Sequence, residues 1–293
     1  MRDKWIDGVI PPRQLCFDPG TAYVIRKLDR QRVCGGWAGT SDQRRPKPRI
    51  ERLAAKYTRM SIFMGAATAA YRHLATRHPR ALCKLKLLQN HAIEEDQEFW
   101  KLYSSTLAED NLVQPLEDFF NVYQLTLKTR KLPGAIVELG VYRGGSAKLI
   151  ALLKGDKELH LFDTFAGMPA VRSDVDRHQA GDFADTSLEA VQAYLRGFKN
   201  IFFYKGFFPD SARPLADKPL QFCFVHLDAD IYESTKAGLE FFYPRTVRGG
   251  MILSHDYRSL LCPGVKRAYD EFFADKPESV VELWKTQCLV VKQ

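Results

Sequence analysis

The sequence predicts an α/β protein built around a mostly parallel sheet. After Leu132-Pro133-Gly134, short β-branched or aromatic runs alternate with helical stretches of about ten residues. Near-continuously apolar strands separated by helices are typical of a parallel sheet covered on both faces. The last two runs are joined only by Lys285-Thr-Gln287, and so short a link permits only antiparallel pairing. We therefore expect a seven-stranded sheet that ends in an antiparallel hairpin, with a helical N-terminal extension.

Seven apolar runs are predicted as strands, and four stretches between them as helices. The strands are 135–139, 158–162, 201–204, 221–227, 251–254, 280–284 and 288–291. The helices are 145–154, 186–198, 233–243 and 264–274. A parallel sheet with one terminal antiparallel hairpin is typical of Rossmann-like methyltransferases rather than of dinucleotide dehydrogenases. This is an analogy of fold and assigns no activity by itself.

The region before residue 132 has a different character. Residues 1–49 are irregular and basic, and residues 50–131 carry apolar residues at helical spacings, with predicted helices at 51–74, 81–107 and 114–129. We interpret the second segment as a helical cap or an oligomerisation region, so a homo-oligomer stays open. Residues 132–293 form the sheet domain.

Composition and charge exclude several classes of protein. A hydrophobic content of 45% and an aromatic content of 12% indicate a globular chain, not a collagen, a disordered protein or a multi-span membrane protein. The longest apolar run, 60–71, is shorter than the roughly 20 residues that a membrane span needs. The start of the chain lacks the apolar stretch of a secretory signal. Six scattered cysteines without a CxxC pair argue against a disulfide framework or a structural zinc, and favour a cytoplasmic protein.

The charge is unevenly distributed along the chain. Residues 1–90 contain 19 Lys and Arg against 6 Asp and Glu, whereas the rest contains 24 against 29. A basic leading third on a mildly acidic body suggests two parts with different roles. The run 44–49 has the charge to bind polyanions, but its prolines prevent a helical basic face and no aromatic platform accompanies it, so a solvated linker is preferred.

The turn after the first strand has the composition of a ligand-binding loop. It reads Glu138-Leu-Gly-Val-Tyr-Arg-Gly-Gly-Ser146. Glycines between a strand and a helix let the backbone approach a ligand, and the helix start offers N–H groups. The dinucleotide fingerprint would place a glycine at Tyr142, which this chain lacks. An acid at Glu138 suits a cationic, amino-acid-like ligand. Glycines that serve only packing are the alternative.

A second acid strengthens the case for a nucleoside ligand. Asp163 follows the second predicted strand, 23 residues after Gly140. At this distance nucleotide-binding folds place the carboxylate that accepts from the ribose hydroxyls, although a cap or turn role is the simpler alternative. Gly206 and Phe207, after the third strand, are expected near an adenine ring. The predicted cofactor residues are Glu138, Gly140, Tyr142, Gly144, Ser146, Asp163, Thr164, Gly206 and Phe207.

Acidic and imidazole side chains follow the next two strands. Positions two apart on a strand point to the same side, so Asp228 and Asp230 are expected to converge at its carboxyl end. His255 and Asp256 follow the neighbouring strand. Open α/β sheets bind ligands at this edge, and such a set suits a hard or borderline divalent ion. The alternative is a loop-capping aspartate beside a surface histidine.

Taken in order, these motifs resemble a known family. They are Ile136-Val-Glu-Leu-Gly-Val-Tyr-Arg-Gly-Gly-Ser146, Phe162-Asp-Thr-Phe-Ala-Gly-Met-Pro169, Leu227-Asp-Ala-Asp-Ile-Tyr-Glu-Ser-Thr235, Tyr243-Pro244, Gly249-Gly250 and His255-Asp-Tyr257. Together they resemble the macrocin O-methyltransferase family of S-adenosylmethionine-dependent enzymes, over residues 110–293. The resemblance implies methylation of a hydroxyl on a sugar or other natural product.

The resemblance also implies roles for individual residues. It makes Asp228, His255 and Asp256 the ligands of a divalent ion, normally Mg²⁺, and Asp230 the general base. The family has an acidic pair where this chain has His255-Asp256, which removes one negative charge and softens the site. Mn²⁺, another ion or a metal-independent variant are therefore open alternatives.

The acceptor is expected to be a small hydroxyl compound, glycosylated in some cases. The stretch 169–183 is a candidate substrate lid or a solvated loop, and residues near 100–103 are candidates to line the acceptor pocket. A catalytically silent adenosyl-binding module, docking through the basic segment, is the main alternative. A nucleic-acid methyltransferase ranks third because the target-base motif Asn/Asp-Pro-Pro-Tyr/Phe/Trp is absent.

Overall fold

Seven strands form a single, mostly parallel sheet in a computed structural model of the protein. The structure describes residues 96–109, 111–112, 114–171 and 174–293. The spatial order is β3-β2-β1-β4-β5-β7-β6, and only β7 runs antiparallel to its neighbours β5 and β6. The strands are β1 (Ala135–Leu139), β2 (Leu159–Asp163), β3 (Ile201–Lys205), β4 (Phe222–Leu227), β5 (Thr246–Ser254), β6 (Val281–Glu282) and β7 (Cys288–Val291). The predicted fold class is confirmed.

Six α-helices connect or precede the strands in the described part of the chain. They are α1 (Gln97–Ala108), α2 (Leu116–Thr129), α3 (Gly145–Leu153), α4 (Leu188–Tyr194), α5 (Tyr232–Phe242) and α6 (Pro263–Phe273). Short 3₁₀ helices lie at Asp210–Leu215 and Tyr243–Arg245. The central strands β1 and β4 are buried along their whole length, as expected for strands covered on both faces.

Several elements differ in extent from the prediction; for example, β6 spans Val281–Glu282 instead of 280–284, and α4 spans Leu188–Tyr194 instead of 186–198. Strand β5 begins at Thr246 instead of Met251, because its backbone pairs with β4 across an irregular register even though Gly249 and Gly250 interrupt the apolar pattern. Helix α4 begins only after Ser187, whose side chain accepts a hydrogen bond from the backbone N–H of Ala190. This is N-capping, in which a serine oxygen satisfies an N–H group that lacks a helical partner.

Helices α1 and α2 are joined by a cluster of aromatic side chains. Phe99 lies at its centre, with ring centroids 4.9 Å from Phe120 and 5.3 Å from Tyr123. Helix α2 also packs against α3 and against strands β4 and β5. The predicted boundary between a helical region (50–131) and a sheet domain (132–293) stays a prediction. Helix α2 belongs to the first of these by sequence, but it packs directly on the sheet.

Several predictions fall outside the described residues. They concern the basic segment 1–49, the helix 51–74, the apolar run 60–71 and most of 81–107. Within the described ranges, no helix combines the length and the apolar composition that crossing a bilayer requires.

Candidate active site

The glycine-containing loop and Asp163 meet at the carboxyl ends of β1 and β2. The Asp163 carboxylate accepts hydrogen bonds from the backbone N–H groups of Val141 (2.7 Å), Tyr142 (2.9 Å) and Phe165 (2.6 Å). The backbone N–H of Gly206 donates to the Asp163 carbonyl at 2.9 Å. Asp163 therefore organises this loop. A carboxylate oxygen can accept more than one hydrogen bond, so a role toward a ribose is compatible with these contacts.

The neighbouring predicted residues have structural contacts of their own. The Tyr142 hydroxyl donates to Asp185 at 2.7 Å, and the Thr164 hydroxyl donates to the Gly167 carbonyl at 2.6 Å. Gly144 adopts a left-handed conformation at the start of α3. Phe207 is half-buried directly after the β3 end. The loop, Asp163 and the β3 end thus lie together, and the role of these residues toward a cofactor stays a prediction.

Gly140 brings this loop against the second part of the site. Its φ is +90°, and an added Cβ would lie 1.9 Å from the carbonyl oxygen of Asp228. The backbone N–H of Asp228 donates to the Leu139 carbonyl at 2.7 Å. Glycine is required here because two chain segments touch, which corresponds to the packing role that the sequence left open.

Glu138 lies within β1, just before the glycine-containing loop, and its side chain is fully buried. Its carboxylate is fully buried and contacts His226 Nδ1 at 2.8 Å, because the β1–β4 register places the two residues side by side. Burial raises the pKa of Glu138 above its usual value, although His226 and Ser146 oppose this effect. The second carboxylate oxygen, Oε2, is buried without a hydrogen-bond partner, so a ligand could contact it while the pair stays intact. The cofactor role of Glu138 stays a prediction.

Four polar residues converge at the carboxyl ends of β4 and β5. They are Asp228, Asp230, His255 and Asp256, and we call them the carboxylate cluster. His255 Nδ1 lies 3.2 Å from Asp228 Oδ1 and 2.6 Å from Asp256 Oδ2. Asp230 interacts with Asp256 and Asp228. The geometric reason differs from the prediction: β4 ends at Leu227, and Asp230 has a φ of +61°. A turn, not strand alternation, brings the aspartates together.

The charges in this cluster shift the pKa of each member. Burial opposes charge on His255, but Asp228 and Asp256 raise its pKa well above the usual value. Burial likewise opposes ionisation of Asp256, but His255 lowers its pKa to about 2. Burial and the charges of Asp256 and Asp228 raise the pKa of Asp230 well above normal. The cluster therefore favours ionisation of Asp228 and Asp256 and disfavours ionisation of Asp230.

The donor set is compatible with a divalent ion. Asp228, His255 and Asp256 each offer one ligand atom, and these atoms lie within 4.8 Å of one another. Two carboxylates and one imidazole suit a borderline ion at least as well as Mg²⁺, which prefers oxygen. The 2.6 Å contact between His255 and Asp256 is a hydrogen bond in length, and it would have to lengthen for both groups to bind one ion.

Two polar residues from the α2 region complete the cluster, and sequence reasoning missed both. The Gln114 side chain donates to Asp228 Oδ2 at 2.8 Å, and Asp118 Oδ2 lies 3.4 Å from His255 Nε2. Asp118 is 1% exposed, on the buried face of α2. A carboxylate at an apolar position of an amphipathic helix is the signal that could have identified it.

The described residues of the stretch 169–183 contact the starts of α5 and α6. Asp176 Oδ1 accepts from the backbone N–H of Tyr232 at 3.0 Å and lies beside Gly264. His178 Nε2 lies 3.5 Å from Cys262 Sγ, which is 3.7 Å from Asp230 Oδ1. The stretch therefore contacts the carboxylate cluster. A lid role stays a prediction.

The residues proposed to line an acceptor pocket are part of the aromatic cluster instead. Trp100 is 5% exposed and Tyr103 is fully buried against Phe99 and Phe119. In the described part of the chain, their rings pack between α1 and α2.

Comparison with known proteins identifies relatives. One is demethyldecarbamoylnovobiocin O-methyltransferase of Streptomyces niveus, 30% identical over 182 residues, which are 56% of this chain and 64% of the relative. Another is 8-demethyl-8-(2,3-dimethoxy-alpha-L-rhamnosyl)-tetracenomycin-C 4'-O-methyltransferase of Streptomyces olivaceus, 33% identical over 148 residues (45% and 56%). The chain thus covers less than two thirds of the length of either relative.

Solved structures agree with the fold. The O-methyltransferase NovP superposes with a TM-score of 0.55 at 26% identity, over 62% of this chain and 82% of NovP. CalS11, a calicheamicin methyltransferase, superposes with a TM-score of 0.53 at 20% identity, over 88% of this chain and 99% of CalS11. This likeness supports the fold alone. The family model "Macrocin-O-methyltransferase (TylF)" matches residues 100–280, which include the glycine loop, Asp163 and the carboxylate cluster. The chain belongs to the macrocin O-methyltransferase family.

Proposed function

We propose that the protein is an S-adenosylmethionine-dependent O-methyltransferase that methylates a hydroxyl of a sugar or other small natural-product acceptor. Family membership supports this proposal, as do relatives named for transfer to novobiocin- and tetracenomycin-type compounds. The second relative's name places the methyl on a rhamnosyl group, which favours a sugar hydroxyl as acceptor.

One observation carries the proposal: the carboxylate cluster lies directly beside the glycine loop. The Asp228 backbone hydrogen-bonds Leu139 and touches Gly140, so the two parts of the site share a boundary. A methyl donor held by the loop and a hydroxyl held by the cluster would therefore be adjacent. Alignment of this kind can supply about 7–11 kcal/mol relative to free encounter.

Asp230 is proposed as the general base. An alcohol oxygen is a weak nucleophile while it keeps its proton, so the site must accept that proton as the new carbon–oxygen bond forms. Burial and the neighbouring charges raise the pKa of Asp230, which makes its ionised form a stronger proton acceptor. The proton moves from the acceptor hydroxyl to an Asp230 oxygen.

The remaining polar residues are proposed to bind the cofactor and a divalent ion, and to orient the side chains that hold them. S-adenosylmethionine, when bound, supplies an electrophilic sulfonium methyl group. The turn from Gly140 to Ser146 and Asp163 would hold its nucleoside and amino-acid parts. Asp228, His255 and Asp256 would hold a divalent ion, whose chemistry is to lower the pKa of a coordinated hydroxyl. Gln114 and Asp118 orient Asp228 and His255 by the contacts described above.

A panel assay tests the proposal. The full-length protein is incubated with S-adenosylmethionine, either Mg²⁺ or Mn²⁺, and a set of glycosylated and catechol-like acceptors, and the products are analysed by mass spectrometry. We expect at least one acceptor to gain the mass of a methyl group replacing a hydrogen. Cofactor binding by calorimetry without transfer to any acceptor would instead support a silent adenosyl-binding module.

A further inference from the structure

A second group of metal-type ligands adjoins the carboxylate cluster. It consists of His178 from the 169–183 stretch, Cys262 at the start of α6 and Asp230 from the turn after β4. One ligand atom from each lies within 4.8 Å of the others. We call this group the thiol cluster. It brings together three ligand types from three separate elements, which no CxxC spacing in the sequence would reveal.

The two distances from the Cys262 sulfur to the other ligand atoms match those between ligands of one tetrahedral ion. Zinc binds sulfur at about 2.3 Å and nitrogen or oxygen at about 2.0–2.2 Å, so two such ligands lie about 3.6 Å apart at the tetrahedral angle. Here Nε2 of His178 lies 3.5 Å from Cys262 Sγ, and Sγ lies 3.7 Å from Asp230 Oδ1. These spacings would change little if an ion were bound.

His178 is held in the orientation that zinc ligands usually have. Its Nδ1 lies 3.0 Å from Asp182 Oδ2, and the two side chains are only 9% and 10% exposed. Asp182 Oδ2 also accepts from the backbone N–H of Gln179, which fixes the carboxylate. A carboxylate on one ring nitrogen keeps the proton there and directs the lone pair of the other nitrogen toward the ion. In this protein the second nitrogen faces Cys262.

We propose that His178, Cys262 and Asp230 form a binding site for a borderline divalent transition metal of the zinc class, separate from the site formed by Asp228, His255 and Asp256. Thiolate and imidazole ligands favour such ions, whereas Mg²⁺ favours oxygen. Cys262 is 2% exposed, so the sulfur is shielded from solvent. Ion binding would convert the thiol to a thiolate and release its proton to the solvent.

Occupancy of this site has a consequence for catalysis that rests on the proposed function. Asp230 is the proposed base, and a carboxylate that coordinates an ion is a poorer proton acceptor. A zinc-class ion in the thiol cluster is therefore expected to inhibit methyl transfer. Mg²⁺ at the carboxylate cluster would not relieve this inhibition, because the two ions use different ligands.

Cobalt spectroscopy tests the binding site without cofactor or acceptor, so its result is independent of the proposed activity. Metal-free full-length protein is titrated with Co²⁺. We expect intense tetrahedral d–d bands and a thiolate-to-cobalt charge-transfer band whose final amplitude corresponds to one thiolate-bound cobalt, which Zn²⁺ abolishes and excess Mg²⁺ leaves unchanged. Cys262→Ser should lose the charge-transfer band. Cys223→Ser is the matched control, since that buried thiol contacts the carbonyls of Gly134 and Ala135 and interacts with Lys157, none of which belongs to the thiol cluster.

A second variant keeps the test decisive if Cys262→Ser does not fold. Asp182→Asn keeps the side-chain shape but weakens the support of His178, and should lower Co²⁺ affinity roughly 10- to 100-fold. Absence of a charge-transfer band in the wild type, its persistence in Cys262→Ser, its loss in Cys223→Ser or its displacement by Mg²⁺ would each overturn the proposal. For the inhibitory role, Zn²⁺ that displaces Co²⁺ from this site but leaves turnover unchanged would be the contrary result.

Discussion

Replacing Gly140 with alanine is expected to damage both the fold and the carboxylate cluster. An added Cβ would lie 1.9 Å from the Asp228 carbonyl oxygen and 2.6 Å from its carbon. Carbon and oxygen atoms normally approach no closer than about 3.3 Å. One of the two segments must therefore move by about 1.4 Å, and the hydrogen bond from Asp228 to Leu139 lies at the same point.

The magnitude has two parts. A non-glycine residue in the left-handed region costs about 1–2 kcal/mol, and forcing an extra carbon into a filled space costs about 1–3 kcal/mol. Gly140→Ala should thus lower the free energy of unfolding by about 2–5 kcal/mol. Because a misplacement of about 1 Å near the chemistry can cost about 100-fold in rate, turnover should fall by a similar factor.

The variant Gly249→Ala distinguishes the cost of backbone strain from the cost of a steric clash. Gly249 has a φ of +76°, but no atom lies within 4 Å of an added Cβ. This variant should lose only about 1–2 kcal/mol and keep its turnover. Urea unfolding and methyl-transfer assays on both full-length variants make the comparison. Equal stability losses together with wild-type turnover in Gly140→Ala would refute the reasoning.

Three further predictions follow from side-chain contacts. Asp230→Asn should keep cofactor affinity, measured by calorimetry, and lose turnover; comparable turnover would remove Asp230 as the base. Asp118→Asn should weaken Mn²⁺ binding roughly 10- to 100-fold, because it removes the carboxylate beside His255; an unchanged calorimetric affinity would exclude this supporting role. Glu278 is buried, and although burial opposes its charge, the Tyr243 hydroxyl, the Gln293 backbone N–H and Lys292 lower its pKa from 4.5 to about 2. A lowered pKa stabilises the fold above about pH 4.5, and the effect disappears as the pH falls toward 2. Glu278→Gln should therefore be less stable than the wild type at pH 6, by up to about 3 kcal/mol. Chemical unfolding should show that this difference in stability becomes smaller as the pH falls. A difference that does not change with pH would contradict the lowered pKa of Glu278.

The strands were predictable because a strand that is buried on both faces is apolar at nearly every position, which is visible in the local sequence. Runs such as Phe222–Leu227 are apolar at every position but one, and this pattern needs no knowledge of their neighbours. The first residues of β5 were not predictable in this way. Thr246 pairs with Phe222 of β4 before the register shifts, and the backbones of Gly249 and Gly250 hydrogen-bond Lys292. Glycines can make such backbone contacts, which leave no side-chain pattern.

The site was predictable where residues follow directly on strands. Asp228, Asp230, His255 and Asp256 lie at adjacent strand ends, so the order of strands in such a fold places them together. The position of Asp118 on the apolar face of a helix is a detectable signal, but its contact with His255 was not predictable, because the two residues lie 137 positions apart in the sequence. For the same reason the sequence does not reveal that Glu138 pairs with His226, since that contact depends on strand register.

The position of α2 limits how this enzyme family member can be shortened. A fragment that began with β1 would keep every strand and the whole glycine loop, and would still look like an intact catalytic domain. It would nevertheless lack Gln114 and Asp118, leaving Asp228 without its amide donor and the His255 ring without one of its neighbouring carboxylates. Designs that graft or truncate this domain should therefore keep α2 and Gln114 together with Asp228 and His255.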